Sequence, residues 1–271
     1  MPLLQIPREL RDHILSLLVL STAVVAPPES PVNPDDREKL DDIGRRGWSS
    51  GGIVLYSKDT QMKGIPTLAI NQQLRKETLA VISHLNLPSL RSYKLDVMIV
   101  EDTSLWPTWL YVPTTTTMVE EVHVTFRIMG ASTRRRCGYS GGDGGPPEII
   151  WAFYNLLERF LLVGPVARQE KRHDKNIKIR HLKLDVRTPD VPAGMIAPDF
   201  NQNRLRQLRG RSGINYIKNP KSVISFISSF LGFLNYWKNT RAEMSTAYDK
   251  VGKITLMLDG IMVEERLVTE W

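Results

Sequence analysis

Hydrophobic positions along this chain recur with a helical period at the N-terminus, change to strand-like runs, and return twice to long helical stretches. Leu10, Ile14, Leu17 and Leu18 follow Pro7 at helical spacing, with Arg8, Glu9, Arg11, Asp12 and His13 between them, which predicts a short amphipathic helix over residues 7–18. Ile6-Pro7 sets its start, because the residue before a proline is pushed into extended backbone while proline suits a helix's first turn. A helix of about three turns is not stable alone in water, so its apolar side must cover either the rest of this chain or another protein.

Five runs read as strands by β-branched, alternating or continuous apolar content: Ile53 to Tyr56, Tyr93 to Val100, Val119 to Met129, Ile177 to Val186 and Lys253 to Val263. Two helices lie between the last three. Pro146-Pro147-Glu148 opens the first, which runs to about Val163 and is ended by Gly164-Pro165; Asn219-Pro220 opens the second, apolar from Val223 to Trp237. Both are apolar nearly all round and are expected to be largely buried. Strand, helix, strand, helix, strand with long connections predicts a βαβαβ unit over residues 119–263, and the fold class is α/β to mixed α+β. HVTF, HLKLDV and KITLMLD share a hydrophobic spacing similar to leucine-rich repeats, but lie much further apart than such repeats, which makes this at most an irregular arrangement of that kind. Ala26 to Ser50, Gly130 to Gly145 and Thr188 to Gly213 are rich in proline, glycine or charge and are expected to be exposed loops.

Bulk composition narrows the function classes. The chain has 271 residues, 42% hydrophobic and 24% charged, which is ordinary globular composition with enough length for a sizeable core. No apolar run reaches the ~20 residues that span a bilayer, and acidic residues among the first twelve argue against a secretory signal. A single cysteine, Cys137, allows no internal disulfide, so a reducing intracellular compartment, cytoplasmic or nuclear, is expected. The net charge of +7 is uneven: residues 1–130 carry 13 Lys or Arg against 15 Asp or Glu, and residues 131–271 carry 23 against 14. The surplus sits at Arg134, Arg135 and Arg136, in a run that includes Lys171 and Arg172, and at Arg204, Arg206, Arg209 and Arg211. Converging on one face, these would bind nucleic acid or an acidic protein; scattered, they are solvated loops.

Candidate chemistry is sparse. The stretch from Gly138 to Gly145 precedes a helix, yet it lacks the Gly-Lys-Ser/Thr ending of a P-loop, and Asp143 and Glu148 would repel a phosphate. Glu101, Asp102, Asp185 and Asp190 stand at strand ends, where α/β enzymes place carboxylates but where turns also use them. His13, His84, His123, His173 and His181 form neither HxxxH nor HExxH, Cys137 stands alone, and no GxSxG elbow occurs. His123 and His181 hold similar places in two strands, as packing residues do. Leu105-Trp106-Pro107-Thr108-Trp109-Leu110 is either an aromatic interface or, as burial statistics favour, a corner closing the core beneath strand 93–100. No catalytic residue, cofactor or metal ligand is named, and an enzyme is not expected.

The opening LPxELRxxIL-like run, Ile6-Pro7-Arg8-Glu9-Leu10-Arg11 through Ile14, resembles the start of the F-box and, more closely, of F-box-like modules of fungal proteins. A second element of those modules, similar to vNRQLRxETl, is matched by Ile65 to Leu79 with Asn71, Gln73, Leu74, Arg75, Glu77 and Thr78. Tyr93 to Pro113, Glu120 to Gly130 and Ile179 to Asp190 also look like an uncharacterised fungal F-box-like group. In this chain about 45 residues, including the Pro-rich APPESPVNPDD, separate the two helical elements. The resemblance implies an F-box-like N-terminal region over residues 1–90 with an inserted loop at 24–52, and an α/β domain over 91–271 packed with it as one unit. It implies a non-enzymatic protein-interaction module: a substrate-recognition subunit whose Leu4, Ile6, Pro7, Leu10, Ile14 and Leu17 contact the adaptor of a cullin-type ubiquitin ligase while the remainder recognises a client. The alternatives are a general interaction scaffold without adaptor binding, or nucleic-acid binding through the basic C-terminal half.

Overall fold

A computed structural model of the chain describes residues 3–21, 26–29, 37–39, 54–57, 70–85, 87–101, 104–113, 116–131, 148–165, 175–197, 216–238 and 249–269. In chain order the elements are α1 (Arg8–Leu20), β1 (Glu38–Lys39), β2 (Val54–Ser57), α2 (Gln72–Leu85), β3 (Ser92–Val100), β4 (Ser104–Tyr111), β5 (Met118–Met129), α3 (Glu148–Val163), β6 (Lys178–Arg187), α4 (Pro220–Lys238), β7 (Val251–Leu258) and β8 (Ile261–Leu267). The strands form one mixed sheet in the order β1-β2-β4-β3-β5-β6-β7-β8. Its centre, β3-β5-β6-β7, is parallel, with Asp96 beside Thr125, Thr125 beside Asp185 and Asp185 beside Met257. β4 and β8 run antiparallel on either side of it. The class is mixed α+β around a βαβαβ unit, with α3 and α4 as the links between β5, β6 and β7.

Local chemistry accounts for most of the boundaries. Asn71 Oδ1 accepts the Leu74 amide at 2.8 Å and caps α2, so the helix in the second motif begins at Gln72 and runs on to Leu85, while residues 65–69 lie outside the described residues. Asn219 Oδ1 accepts the Lys221 amide at 2.9 Å ahead of Pro220, the start that Asn-Pro encodes. Gly164, at φ 89°, ends α3 with its amide on Phe160 O at 2.8 Å.

Two strand expectations are corrected. Lys253 to Val263 is not one strand: Asp259 and Gly260, at φ 52° and 81°, make a two-residue hairpin turn between β7 and β8. The Asp259 carboxylate fixes that turn by accepting the Thr188 amide at 2.7 Å and hydroxyl at 2.6 Å. LWPTWL is not a corner but most of β4; Leu105, Trp106, Pro107 and Thr108 are buried, and Trp109 and Leu110 are half-buried. Trp109 stacks on Phe160 at 5.0 Å, and Trp106, on the opposite face, donates Nε1–H to Ser104 Oγ at 2.9 Å. Among the described residues β2 pairs with β4 at Ser104 and Leu105 alone, which leaves Pro107 beyond the ladder on that side, where a proline is tolerated.

The core lies between α3 and α4 and one face of the sheet, where Leu95, Val97, Val124, Phe126, Leu182, Leu184, Ile254 and Leu256 interleave with the helices. Tyr93 belongs to it; burial pushes its phenol up to about 12, with the hydroxyl accepting the Thr116 amide at 3.2 Å. α3 is buried along most of its length, as expected, but α4 exposes Lys221, Ser225, Ser229 and Gly232, so only one of its sides is core.

The opposite face of the sheet is polar yet partly covered. Arg127 grips the buried Asp96 carboxylate through two contacts of 2.6 Å and donates to Pro28 O at 2.7 Å. Arg37 lies over the Trp106 ring at 4.8 Å and reaches Pro107 O at 3.4 Å. These two arginines hold parts of the chain N-terminal to β2 against β3, β4 and β5.

Candidate functional site

α1 has two apolar sides, and the fold uses one of them. Arg11, Leu15 and Val19, spaced i, i+4, i+8, are buried; Leu15 is fully covered, and Val19 clusters with Leu90, against which Ile82 and Leu85 pack. Leu10, Leu17 and Leu18 face outward, at 56%, 56% and 40% exposed, and with Ile14 they make a stripe adjoining the buried side. Of the residues singled out for partner contact, Leu4, Pro7, Leu10 and Leu17 are exposed, and Ile6 and Ile14 are half-buried. The side of α1 nearest the core is therefore not the hydrophobic stripe most evident in sequence.

The helix is positioned by an ion pair that joins the two motif elements across 66 positions of chain. Arg11 Nε and Nη2 donate to the two Glu77 oxygens at 3.0 and 2.7 Å, and Nη1 donates to Ile6 O at 2.5 Å and Leu4 O at 3.3 Å. One guanidinium thus docks α1 on α2 and folds the N-terminal turn back over it. The hydrogen bond to Glu77 holds the Arg11 proton more firmly than usual, and the Arg11 guanidinium keeps the Glu77 carboxyl below its ordinary range. The Gln73 amide adds a further contact to Glu77 at 3.1 Å, and Thr78 turns its hydroxyl back onto Leu74 O at 2.6 Å. Sequence reading selected the Leu and Ile positions; the Arg11–Glu77 link was visible only as matched motif letters in two separate elements.

A second cluster of titratable groups lies on the polar sheet face. The buried Asp185 accepts the Gly260 amide at 3.0 Å and an Arg187 contact at 2.8 Å, so this strand-end carboxylate fixes the β7–β8 turn. His123 Nε2 stands 3.8 Å from Asp185 Oδ2, beyond hydrogen-bond reach. His181 Nε2 is 2.7 Å from Thr255 Oγ1; because that hydroxyl donates to Glu265 at 3.2 Å, the histidine is the donor and carries its proton on Nε2. His123 and His181 are not neighbours in register: His123 lies beside Lys183, and His181 beside Glu121. Among the described residues no three His, Cys, Asp or Glu side chains are grouped to hold a metal ion.

Burial lowers both histidine pKa values, for His123 against the opposing pull of Asp185 and Glu121 and with the push of Lys183 and Arg187, for His181 with the added push of Lys253 and Lys183. In the unfolded chain these rings take up protons near the ordinary value of about 6.5, while the folded protein resists until lower pH. Stability is expected to hold above about pH 6.5 and to fall as pH drops below it. Urea midpoints from pH 8 to 5 check this, and His123→Gln with His181→Gln should flatten the slope; an unchanged slope would assign it to other groups.

The remaining sequence candidates do not join either cluster. Arg134, Arg135, Arg136, Lys171, Arg172, Arg204, Arg206, Arg209, Arg211, Cys137, His173, Asp102 and the glycine-rich 138–145 stretch all lie outside the described residues. Asp190 sits in an exposed bend after β6, and His13 and His84 are exposed on α1 and α2. None of the helices is long and apolar enough to cross a membrane, among the described residues. Compared with protein-family models, curated proteins and solved structures, the chain matches none.

Proposed function

We propose that this protein is a non-enzymatic interaction module that docks a partner protein through the outer stripe of α1. The observation that carries this reading is the division of labour within one short helix. Arg11, Leu15 and Val19 are the buried residues of α1, while Leu10 and Leu17 remain more than half exposed. Two exposed leucines two helical turns apart, with Ile14 between them and Leu4 and Pro7 at the N-terminal end, fit a helix-in-groove contact. The resemblance to F-box-like modules supplies the partner's class: the adaptor of a cullin-type ubiquitin ligase, with the sheet and its α3–α4 layer left to recognise a client.

The test is capture of a purified adaptor by full-length protein and by a Leu10→Asp, Leu17→Asp variant. Both positions are exposed, so the variant should keep its thermal transition within a few degrees. Wild type is expected to retain adaptor and the folded variant to lose at least about tenfold in affinity. Failure of well-folded wild type to bind at micromolar concentration would remove the ligase assignment and leave a scaffold whose stripe serves a different protein.

A further inference from the structure

Between α3, α4 and strands β6 to β8 lies a cavity of about 240 Å³. Its walls are Phe153, Leu157, Leu184, Ile227, Phe230 and Ile254, and its exposed lining residues, Gly232 and Leu267, mark a mouth with the half-buried Arg266 beside it. It is on the opposite side of the sheet from Asp96, Arg127 and His123, and it shares no residue with α1. Natural interiors rarely leave apolar space of this size unfilled, because the lining atoms lose contacts that a close-packed core supplies. A dry apolar cavity of roughly 150 Å³ accommodates benzene, so this one has room for a fused bicycle or a branched chain of about ten non-hydrogen atoms.

The mouth adds one polar feature. Arg266 Nε binds Glu264 Oε1, and Nη2 donates to Ser228 Oγ at 3.1 Å. Nη1 makes no hydrogen bond or ion pair among the described residues, and it turns toward the bare Cα of Gly232, where an added Cβ would lie 3.6 Å from it. Because Glu264 already balances the guanidinium charge, the open N–H suits a neutral acceptor oxygen better than a carboxylate.

We propose that this cavity is a binding site for a small, neutral, mainly apolar molecule of bicyclic size that carries one carbonyl or ether oxygen, with its hydrocarbon between α3 and β6–β7 and its oxygen on Arg266 Nη1. Indanone is a suitable probe, with indane as the control that lacks the oxygen and indane carboxylate as the charged control. Titrations of the full chain followed by methyl NMR should give indanone binding in the sub-millimolar range, with shifts at Leu157, Leu184 and Ile227 and about tenfold weaker binding for each control. Gly232→Leu, which puts a side chain into the mouth, should keep the fold and abolish binding. Arg266→Met should bind indane and indanone equally. No binding of any probe to folded wild type at millimolar concentration would overturn the site, as would binding that survives Gly232→Leu with shifts elsewhere. Tightest binding by the carboxylate would overturn the neutral ligand class.

Discussion

Arg127→Met is expected to destabilise this protein by about 3 to 5 kcal/mol, because it strands a carboxylate that the fold has taken out of water. The Asp96 side chain is 1% exposed, and its two oxygens each lie 2.6 Å from an Arg127 nitrogen. The fork-to-fork geometry satisfies both partners, and methionine keeps much of the volume while removing the charge and all its donors. Burial lowers the pKa of Arg37 against the opposing pull of the nearby Asp96 charge, and this second cation tempers the loss toward the lower figure. A urea midpoint that moves while the m-value stays constant is the expected signature. Arg127→Met combined with Asp96→Asn should restore most of the stability, since the unpaired charge goes with its partner. A single-variant loss below about 1 kcal/mol would mean that water reaches Asp96 and that the pair behaves as an exposed bridge. Loss of the Pro28 contact should also make the chain near residues 26–29 a faster site of proteolysis in the variant.

The second large effect separates the two sides of α1. Leu15→Ala is expected to cost about 2 to 4 kcal/mol, whereas Leu10→Ala, five residues earlier, should stay within about 0.5 kcal/mol of wild type. Leu15 is 0% exposed and Leu10 is 56% exposed, so the same deletion of methyl groups opens a cavity at one site and removes solvent-facing surface at the other. Hydrogen exchange along α1 is the most direct measurement, because the helix is tied to the rest mainly through α2 and can open without the sheet. Equal protection loss in both variants would mean that Leu10 is part of the packed side, and the docking stripe would lose its basis.

These contrasts show where sequence and structure divide. The βαβαβ centre was legible because α3, β5 and β6 each satisfy a simple local rule: a proline-started apolar helix closed by Gly164, and two strands that alternate apolar with polar residues. Asn219-Pro220 likewise encodes its own helix start through the Asn219 cap. β4 was missed as a strand because Pro107 argues against one until, among the described residues, the neighbouring β2 is seen to pair at Ser104 and Leu105, ahead of the proline. The β7–β8 hairpin had a local signal, Asp259-Gly260, which was outweighed by the continuous apolar run around it.

The sequence by itself determined the mixed class, the parallel centre and an N-terminal helix with spare hydrophobic residues, since periodicity and capping act within a few residues of their cause. Only the tertiary structure decided which side of that helix is spare. Arg11 finds Glu77, Asp96 finds Arg127, and the cavity closes between α3 and α4 through contacts between residues remote in the chain, and no local pattern encodes which remote partner will arrive. Leu10 and Leu15 are alike in chemistry and neighbours in sequence; what distinguishes them is that α2 and Leu90 cover one side of α1 and leave the other to solvent.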